Sequence, residues 1–426
     1  MVAEKFPISR GELIGSVKLN YILENMDKYC FMFRLRLWDV YPKIDADHPL
    51  SFSKCRYTEI EEPLLDNGRI YMAKYLETTC TEQDLLTYMD FYGYSRLEIF
   101  DCWQYKKQYL PRPFVLAILK LYSDKTTLKG VEGEEVNYQV KKGMLNASFG
   151  MTVTDIVREE LYYDTDKDSE QPFYSNYDNM TDEEYNKYLE TQIARYNSNP
   201  YRFLFYAWGV WITAYARRNL FTGIKACAKD YIYADTDSLK ILNWKKHMNY
   251  IDAYNKEIVE KLKKACDFHE VDFSLTKPKN KFGEEKQLGI WEFEGEYDEF
   301  KTLGAKRYLW RKGDKWQLTV AGVNKKSGMK YLLKRAEETN KAIGIDGKQV
   351  TPFDFFNMEL VVPSEYSGRN VLTYIDDEKK GTVTDYLGET LDYDELSGIH
   401  MESTEYSLNP MKQFLDYLFQ IREESW

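Results

Sequence analysis

The chain has 426 residues, 43% hydrophobic and 30% charged, with a formal net charge of −11. That balance is globular and excludes a fibrous or disordered chain, and no apolar run approaches the roughly 18 residues of a membrane span. Aromatics reach 16% through 36 Tyr, 22 Phe and 9 Trp, which predicts an aromatic-rich core.

In chain order, residues 1–20 predict a short connection with no complete element of their own. They carry no apolar stretch of the secretory kind. Residues 28–75 predict strands: YCFMFRLRLW alternates, and NGRIYMAKYL follows an Asn-Gly turn signal. EQDLLTYMDF, at 82–91, predicts a helix with a charged first turn. PFVLAILKLYS, at 113–123, is apolar at helical spacing, with Pro113 suited to a first turn. A loop with Gly130 and Gly133 follows, then a second helix over about 136–150, giving a helical hairpin. Residues 151–200 are acidic and rich in Tyr and Asn, a surface insertion. Residues 203–222 predict a long apolar helix, followed by a strand–turn–strand in DYIYADTDSLKIL. Ile251, Tyr254, Ile258, Val259, Leu262 and Ala265 mark an amphipathic helix lying on a sheet. Strands are expected again over 288–323. In the tail, Asn409 is expected to cap a last helix with Pro410 at its first position and Met411, Phe414, Leu415 and Leu418 on one face.

Charge is segregated. Residues 151–200 carry 12 acids and 4 bases, whereas 105–146 carry 8 bases and 4 acids, and 276–330 carry 13 bases and 8 acids. Two basic stretches in an acidic chain keep a nucleic-acid groove open. The six cysteines form no C-x-x-C pair and the four histidines are scattered, so neither zinc nor a disulfide framework is expected. Asp164-Thr-Asp166-Lys-Asp168-Ser imitates the start of a calcium loop, but Ser169 stands where Gly is needed and Ser175 where an acid is needed.

The sharpest signal is Tyr233-Ala234-Asp235-Thr236-Asp237-Ser238. Apolar β-formers flank it, so both carboxylates belong at a hairpin tip, and alternation sends Asp235 and Asp237 to one face. Paired acids there repel unless a cation neutralises them, and Mg²⁺ is content with one or two carboxylates plus substrate phosphates. The bland alternative is an acidic surface turn. A second signal is Lys142, Asn146, Phe149 and Gly150 in KKGMLNASFG, which share a helix face. A Lys there suits a triphosphate, Phe149 offers a flat surface, and Gly150 allows close approach; Lys125 adds a second cation. The bland alternative is a row of solvated lysines above a core face.

Together these residues resemble the family B DNA polymerases. Tyr-x-Asp-Thr-Asp-Ser matches that family's motif C. Lys-x-x-x-Asn-x-x-Phe-Gly is similar to its motif B, with Ala147 and Phe149 where Ser and Tyr are usual. Lys306-Arg307-Tyr308 resembles the Lys-x-Tyr motif at the primer end, and all three stand in the family's order. The segments 28–80 and 151–200 sit where the protein-primed phage enzymes carry their two terminal-protein regions. Motif A, which supplies another metal-binding Asp, has no match; Asp39, Tyr41 and Pro42 in WDVYPK mimic it only faintly.

The resemblance implies an α+β right-hand polymerase fold with an antiparallel palm sheet, helical-hairpin fingers and a small thumb, lacking the exonuclease domain. Residues 1–27 would form the palm edge, 28–95 the first insertion, 96–150 the fingers, 151–200 the second insertion, 201–330 the palm, and 331–426 the thumb and C-terminal extension. It implies DNA synthesis with a two-ion Mg²⁺ site on Asp235 and Asp237, incomplete in this chain. It assigns Lys125, Lys142, Asn146, Phe149 and Gly150 to the nucleotide. Tyr233, Thr236, Ser238, Lys306 and Tyr308 fall to DNA and primer. Expected partners are primer–template DNA, deoxynucleoside triphosphates, a chain bearing the exonuclease and motif A, and a terminal protein, in the cytoplasm of a phage-infected or plasmid-bearing bacterium. The chain is then the C-terminal part of such a polymerase, as split subunit or fragment. The competing reading is a catalytically silent, polymerase-derived protein that binds DNA or a terminal protein.

Overall fold

Alternation in YCFMFRLRLWDVYP builds the longest strand among the described residues. The structure, a computed structural model, describes all residues except 56–58, 160, 164–172, 178–179, 201–204, 345–346, 375–380, 385–389, 394–398 and 410–426. The expected tail helix and the calcium-loop imitation lie outside the described residues. The chain divides into two units, Met1–Tyr162 with Tyr174–Phe293, and Tyr163–Phe173 with Glu294–Trp426.

In the first unit, the elements are β1 (Phe6–Pro7), β2 (Glu12–Val17), α1 (Leu19–Asn25), β3 (Tyr29–Pro42), β4 (Arg69–Thr81), α2 (Glu82–Phe91) and β5 (Arg96–Gln108). The antiparallel sheet runs β1–β5–β3–β4, with β2 also on β5 and two short strands within 60–66 on β4. Phe31, Phe33, Leu35 and Leu37 of β3 are buried, each worth about 1.5–3 kcal/mol of apolar burial. They share a core with Leu85, Tyr88 and Phe91 of α2. Thr81 starts α2 with a capping box: its Oγ1 accepts from the Asp84 N–H at 3.3 Å, and Asp84 Oδ2 accepts from the Thr81 N–H at 3.3 Å.

Three helices follow: α3 (Arg112–Leu128) and α4 (Glu135–Gly150), the expected hairpin, and α5 (Asp182–Ser198), an exposed helix in the acidic segment. The long apolar helix is α6 (Tyr206–Cys227); the hairpin strands are β6 (Tyr231–Asp235) and β7 (Ser238–Ile241); α7 is Met248–His269. Ile258 and Leu262 of α7 join Val115, Ile118 and Leu119 of α3 and Trp211 and Tyr215 of α6 in a second core. The amphipathic pattern of α7 is therefore buried chiefly among helices.

Two local expectations change. The first 25 residues hold two strands and a helix, missed because Gly15, at φ +76°, bulges β2 and interrupts its alternation. Strand structure within 288–323 begins only at Glu299.

In the second unit, β8 (Glu299–Thr302), β9 (Arg307–Lys312) and β10 (Lys315–Val320) form an antiparallel meander. Leu309, Leu318 and Val320 pack with Met329 and Leu332 of α8 (Lys325–Ile343). Asn324 caps α8 by accepting from the N–H groups of Lys326 and Ser327 at 3.0 and 3.1 Å. Among the described residues no helix is long and apolar enough to cross a membrane. All six cysteines are buried and unbridged.

Candidate active site

The hairpin β6–β7 is a two-stranded ribbon of its own, paired to no other sheet among the described residues. Such a ribbon is marginal alone and needs support from what it lies on. Tyr231, Ala234 and Leu239 pack against the core that holds Phe221 and Ile224 of α6. Gly223 makes the approach possible. A Cβ there would fall 2.6 Å from Leu239 Cδ1 and 3.3 Å from Trp291 Cζ2.

At the tip, Asp235 pairs with Ser238 across the ribbon, leaving Thr236 and Asp237 as the turn. The Asp237 N–H donates to the Asp235 carbonyl at 2.6 Å, and Thr236 between them has φ +57°. This is a three-residue turn centred on a β-branched residue in the left-handed region, a strained arrangement that costs about 1–3 kcal/mol. Two hydroxyls brace it: Thr236 Oγ1 donates to Asp235 Oδ1 at 3.0 Å and Ser238 Oγ to the Asp235 carbonyl at 3.2 Å. Asp235 is half-buried and Asp237 exposed. Strand alternation thus does not place Asp237; the turn does. Tyr233 is 5% exposed and turned into the protein.

Two carboxylates on one tip are hard oxygen donors and fit a hard dication such as Mg²⁺. Among the described residues no group of three or more His, Cys, Asp or Glu side chains gathers to hold a metal. Asp39, the faint mimic of that motif, has φ +49° and accepts from Ser95 Oγ at 2.5 Å on the large sheet.

On the helical hairpin, Lys141 Nζ reaches Asp124 of α3 at 3.4 Å, tying the two helices. Lys142 and Asn146 are exposed and Phe149 is half-buried on α4. The Lys142 ammonium lies 6.0 Å from the Tyr138 ring centre. Gly150 has open space where a Cβ would stand, and Lys125 is half-buried near the end of α3. Helix α6 supports both parts of the site. Thr152 and Val153, just past α4, lie on Gly209, and the β6–β7 hairpin lies on Gly223. Those glycines are about 21 Å apart along the helix at 1.5 Å per residue.

Buried polar ties fix α6 against α2. Trp211 Nε1 donates to the Glu82 carboxylate at 3.0 and 3.1 Å, and the Phe31 N–H donates to it at 2.9 Å. Burial pushes the Glu82 carboxyl above its ordinary range, against the pull of Lys107 and these donors. Arg217 Nε donates to Asp84 Oδ1 at 2.9 Å.

Lys306 and Tyr308 belong to the second unit. Lys306 is an exposed turn residue at φ +57°, and Tyr308 is stacked on Phe300 with ring centres 5.4 Å apart. The sequence reading missed the base of the hairpin. There Asp230 accepts from Asn243 Nδ2 at 3.0 Å and pairs with His247 Nε2 at 2.9 Å. These bonds, Asn243 first, hold the Asp230 carboxyl below its usual range. The available signal was positional: Asp230 and Asn243 flank the strand–turn–strand, and a hairpin brings its two ends together.

The chain resembles solved structures of phi29 DNA polymerase. Against its ternary complex with primer–template DNA and incoming nucleotide substrates, the TM-score is 0.54 at 15% identity, covering 95% of this chain and 55% of that one. The orthorhombic crystal form gives 0.54 at 14% identity, over 96% and 56%. The complex with single-stranded DNA gives 0.52 at 15%, over 95% and 54%. This chain spans about half the length of the structures it matches. At such identity the likeness is one of fold. No protein-family model matches the sequence, and no curated protein matches it.

Proposed function

We propose that this chain carries out template-directed DNA synthesis, adding deoxynucleotides to a primer 3′-OH as part of a protein-primed type polymerase. The observation that carries the reading is the Asp235-Thr236-Asp237 tip, held in a strained turn on a fold shared with a DNA polymerase. Mg²⁺ would be held by Asp237 directly and by Asp235 as second ligand or orienter. When bound, such ions activate an attacking hydroxyl and offset charge on a leaving pyrophosphate.

The chain's own residues bind and orient. Lys142 and Lys125 are point charges for the triphosphate, and Asn146 and Phe149 border the incoming base pair. Gly150 leaves room beside them. Thr236 and Ser238 brace the tip beside the primer, and buried Tyr233 anchors the strand beneath it. Lys306 and Tyr308, on the second unit, hold the primer end. The further carboxylate comes, on this reading, from a segment outside these 426 residues, in the same polypeptide or in a partner that also bears an exonuclease. A terminal protein would supply the priming hydroxyl.

The second reading is a polymerase-derived protein that holds DNA or a terminal protein without chemistry, since among the described residues no third His, Cys, Asp or Glu joins the two acids of the tip. Primer extension with Mg²⁺ separates them, run on the chain alone and on the chain mixed with a polypeptide carrying motif A and the exonuclease. The expected result is no appreciable synthesis alone and restored synthesis on mixing. DNA binding without extension in both cases supports the silent reading.

A further inference from the structure

The two strands of the β6–β7 hairpin contain only five and four residues, and among the described residues they pair with no other strand. Their register already slips once, at a bulge between Tyr231 and Tyr233. Something must fix the open end of this ribbon if its tip is to hold two mutually repelling carboxylates in one place.

The structure provides such a fixture. Asp230 immediately precedes β6. Its carbonyl accepts from the Leu242 N–H at 2.8 Å, its Oδ1 from Asn243 Nδ2 at 3.0 Å, and its Oδ2 pairs with His247 Nε2 at 2.9 Å. Both side chains of the acid–imidazole pair are largely shielded, His247 at 14% and Asp230 at 22% side-chain exposure. Asn243 reaches Asp230 from a left-handed backbone, φ +48°, at the start of the short 3₁₀ turn Trp244–His247. That turn leads directly into α7, whose Ile258 and Leu262 are buried in the second core. One residue further into the hairpin, the Tyr231 hydroxyl donates to Asp47.

We infer that Asp230 and His247 are positioning residues, a clasp that anchors the open end of the hairpin to α7 and so holds the Asp235 and Asp237 carboxylates at one cation-binding separation. This rests on the reading of the tip as a cation site. The clasp touches neither cation nor substrate. It acts through the backbone of β6, which ends at Asp235 and leads into the turn that carries Asp237, five and seven residues downstream of Asp230.

The test is Mn²⁺ titration of the full chain, with free Mn²⁺ read by electron paramagnetic resonance and a thermal melt on each preparation. His247→Ala removes the clasp's imidazole. His247→Gln puts an amide N–H near the lost Nε2 and is the conservative rescue. Asn243→Gly removes the other side-chain bond and keeps the left-handed backbone, so it serves if His247→Ala fails to fold. The expected result is about tenfold weaker Mn²⁺ binding in His247→Ala, the loss typical of outer-shell partners of a metal site. Binding should be largely restored in His247→Gln and intermediate in Asn243→Gly. Asp237→Asn is the control for the site itself. If wild-type chain binds no Mn²⁺, or Asp237→Asn binds as wild type, the cation reading fails and the clasp with it. If Asp237→Asn abolishes binding while His247→Ala and Asn243→Gly bind at full strength, the clasp alone is overturned. A lowered melting temperature common to the Ala and Gln variants, with unchanged Mn²⁺ binding, overturns it equally.

Discussion

Val153 occupies the space in which a side chain on Gly209 would begin. A Cβ built on Gly209 would overlap Val153 Cγ1 and stand 2.7 Å from Thr152 Oγ1. Thr152 is fully buried and donates to the Phe149 carbonyl at 2.7 Å, so this contact seats the end of α4 on α6. The face bearing Lys142, Asn146 and Phe149 takes its position from that seat.

Gly209→Ala is therefore expected to destabilise the protein by about 1–3 kcal/mol despite alanine's better helix propensity, because Val is stiff at χ1 and cannot yield. Gly143, in the middle of α4, has nothing within 4 Å of a built Cβ. Gly143→Ala should gain up to about 1 kcal/mol from propensity alone. Urea unfolding of both variants checks the pair; equal effects of one sign contradict it.

Glu82 predicts a pH dependence. Its carboxyl is raised in the folded state by burial, so over a window above the ordinary carboxylate range the folded chain holds a proton that the unfolded chain has released. Stability contributed by this group is thus fully present below the unfolded pKa and is lost as pH rises through the raised folded value. Glu82→Gln should flatten that decline in a series of urea melts from pH 4 to 8. An unchanged slope contradicts the assignment.

Lys306 is exposed on a turn of the second unit. If it meets a DNA phosphate, Lys306→Ala lowers primer–template affinity about equally for all sequences. It also reduces the salt slope of log K by about 1. Fluorescence anisotropy across a salt series measures both quantities, and an unaltered slope removes Lys306 from the interface.

Much of the site was legible where a short pattern suffices. The charged first turn of EQDLLTYMDF announces α2, helical spacing of apolar residues announces α3, and a long apolar run announces α6. The two acids between β-formers announce the hairpin. What escaped depends on tertiary closure. The bulge at Gly15 hid β2 because alternation fails across it. Alternation misdescribed Asp237 because a three-residue turn carries it, and no local pattern reports the left-handed Thr236. Tyr233, which the resemblance gives to DNA and primer, is buried where the ribbon lies on α6, and no local pattern reports that burial. The Asp230–His247 pair joins residues 17 apart in sequence, and only the hairpin's return brings them together.

The most direct test concerns Asp237 in a complex reconstituted with a polypeptide bearing motif A. Asp237→Asn keeps the shape of the tip and removes one full charge and a strong oxygen donor. It also relieves repulsion with Asp235, so the folded chain should be no less stable. Primer extension and a thermal melt are run on the same preparation. The account predicts loss of nucleotide addition, with DNA binding near that of the unmutated complex and a melting temperature retained or slightly raised. Extension at the unmutated rate would contradict it, because a tip that works without the Asp237 carboxylate is not holding the catalytic cation.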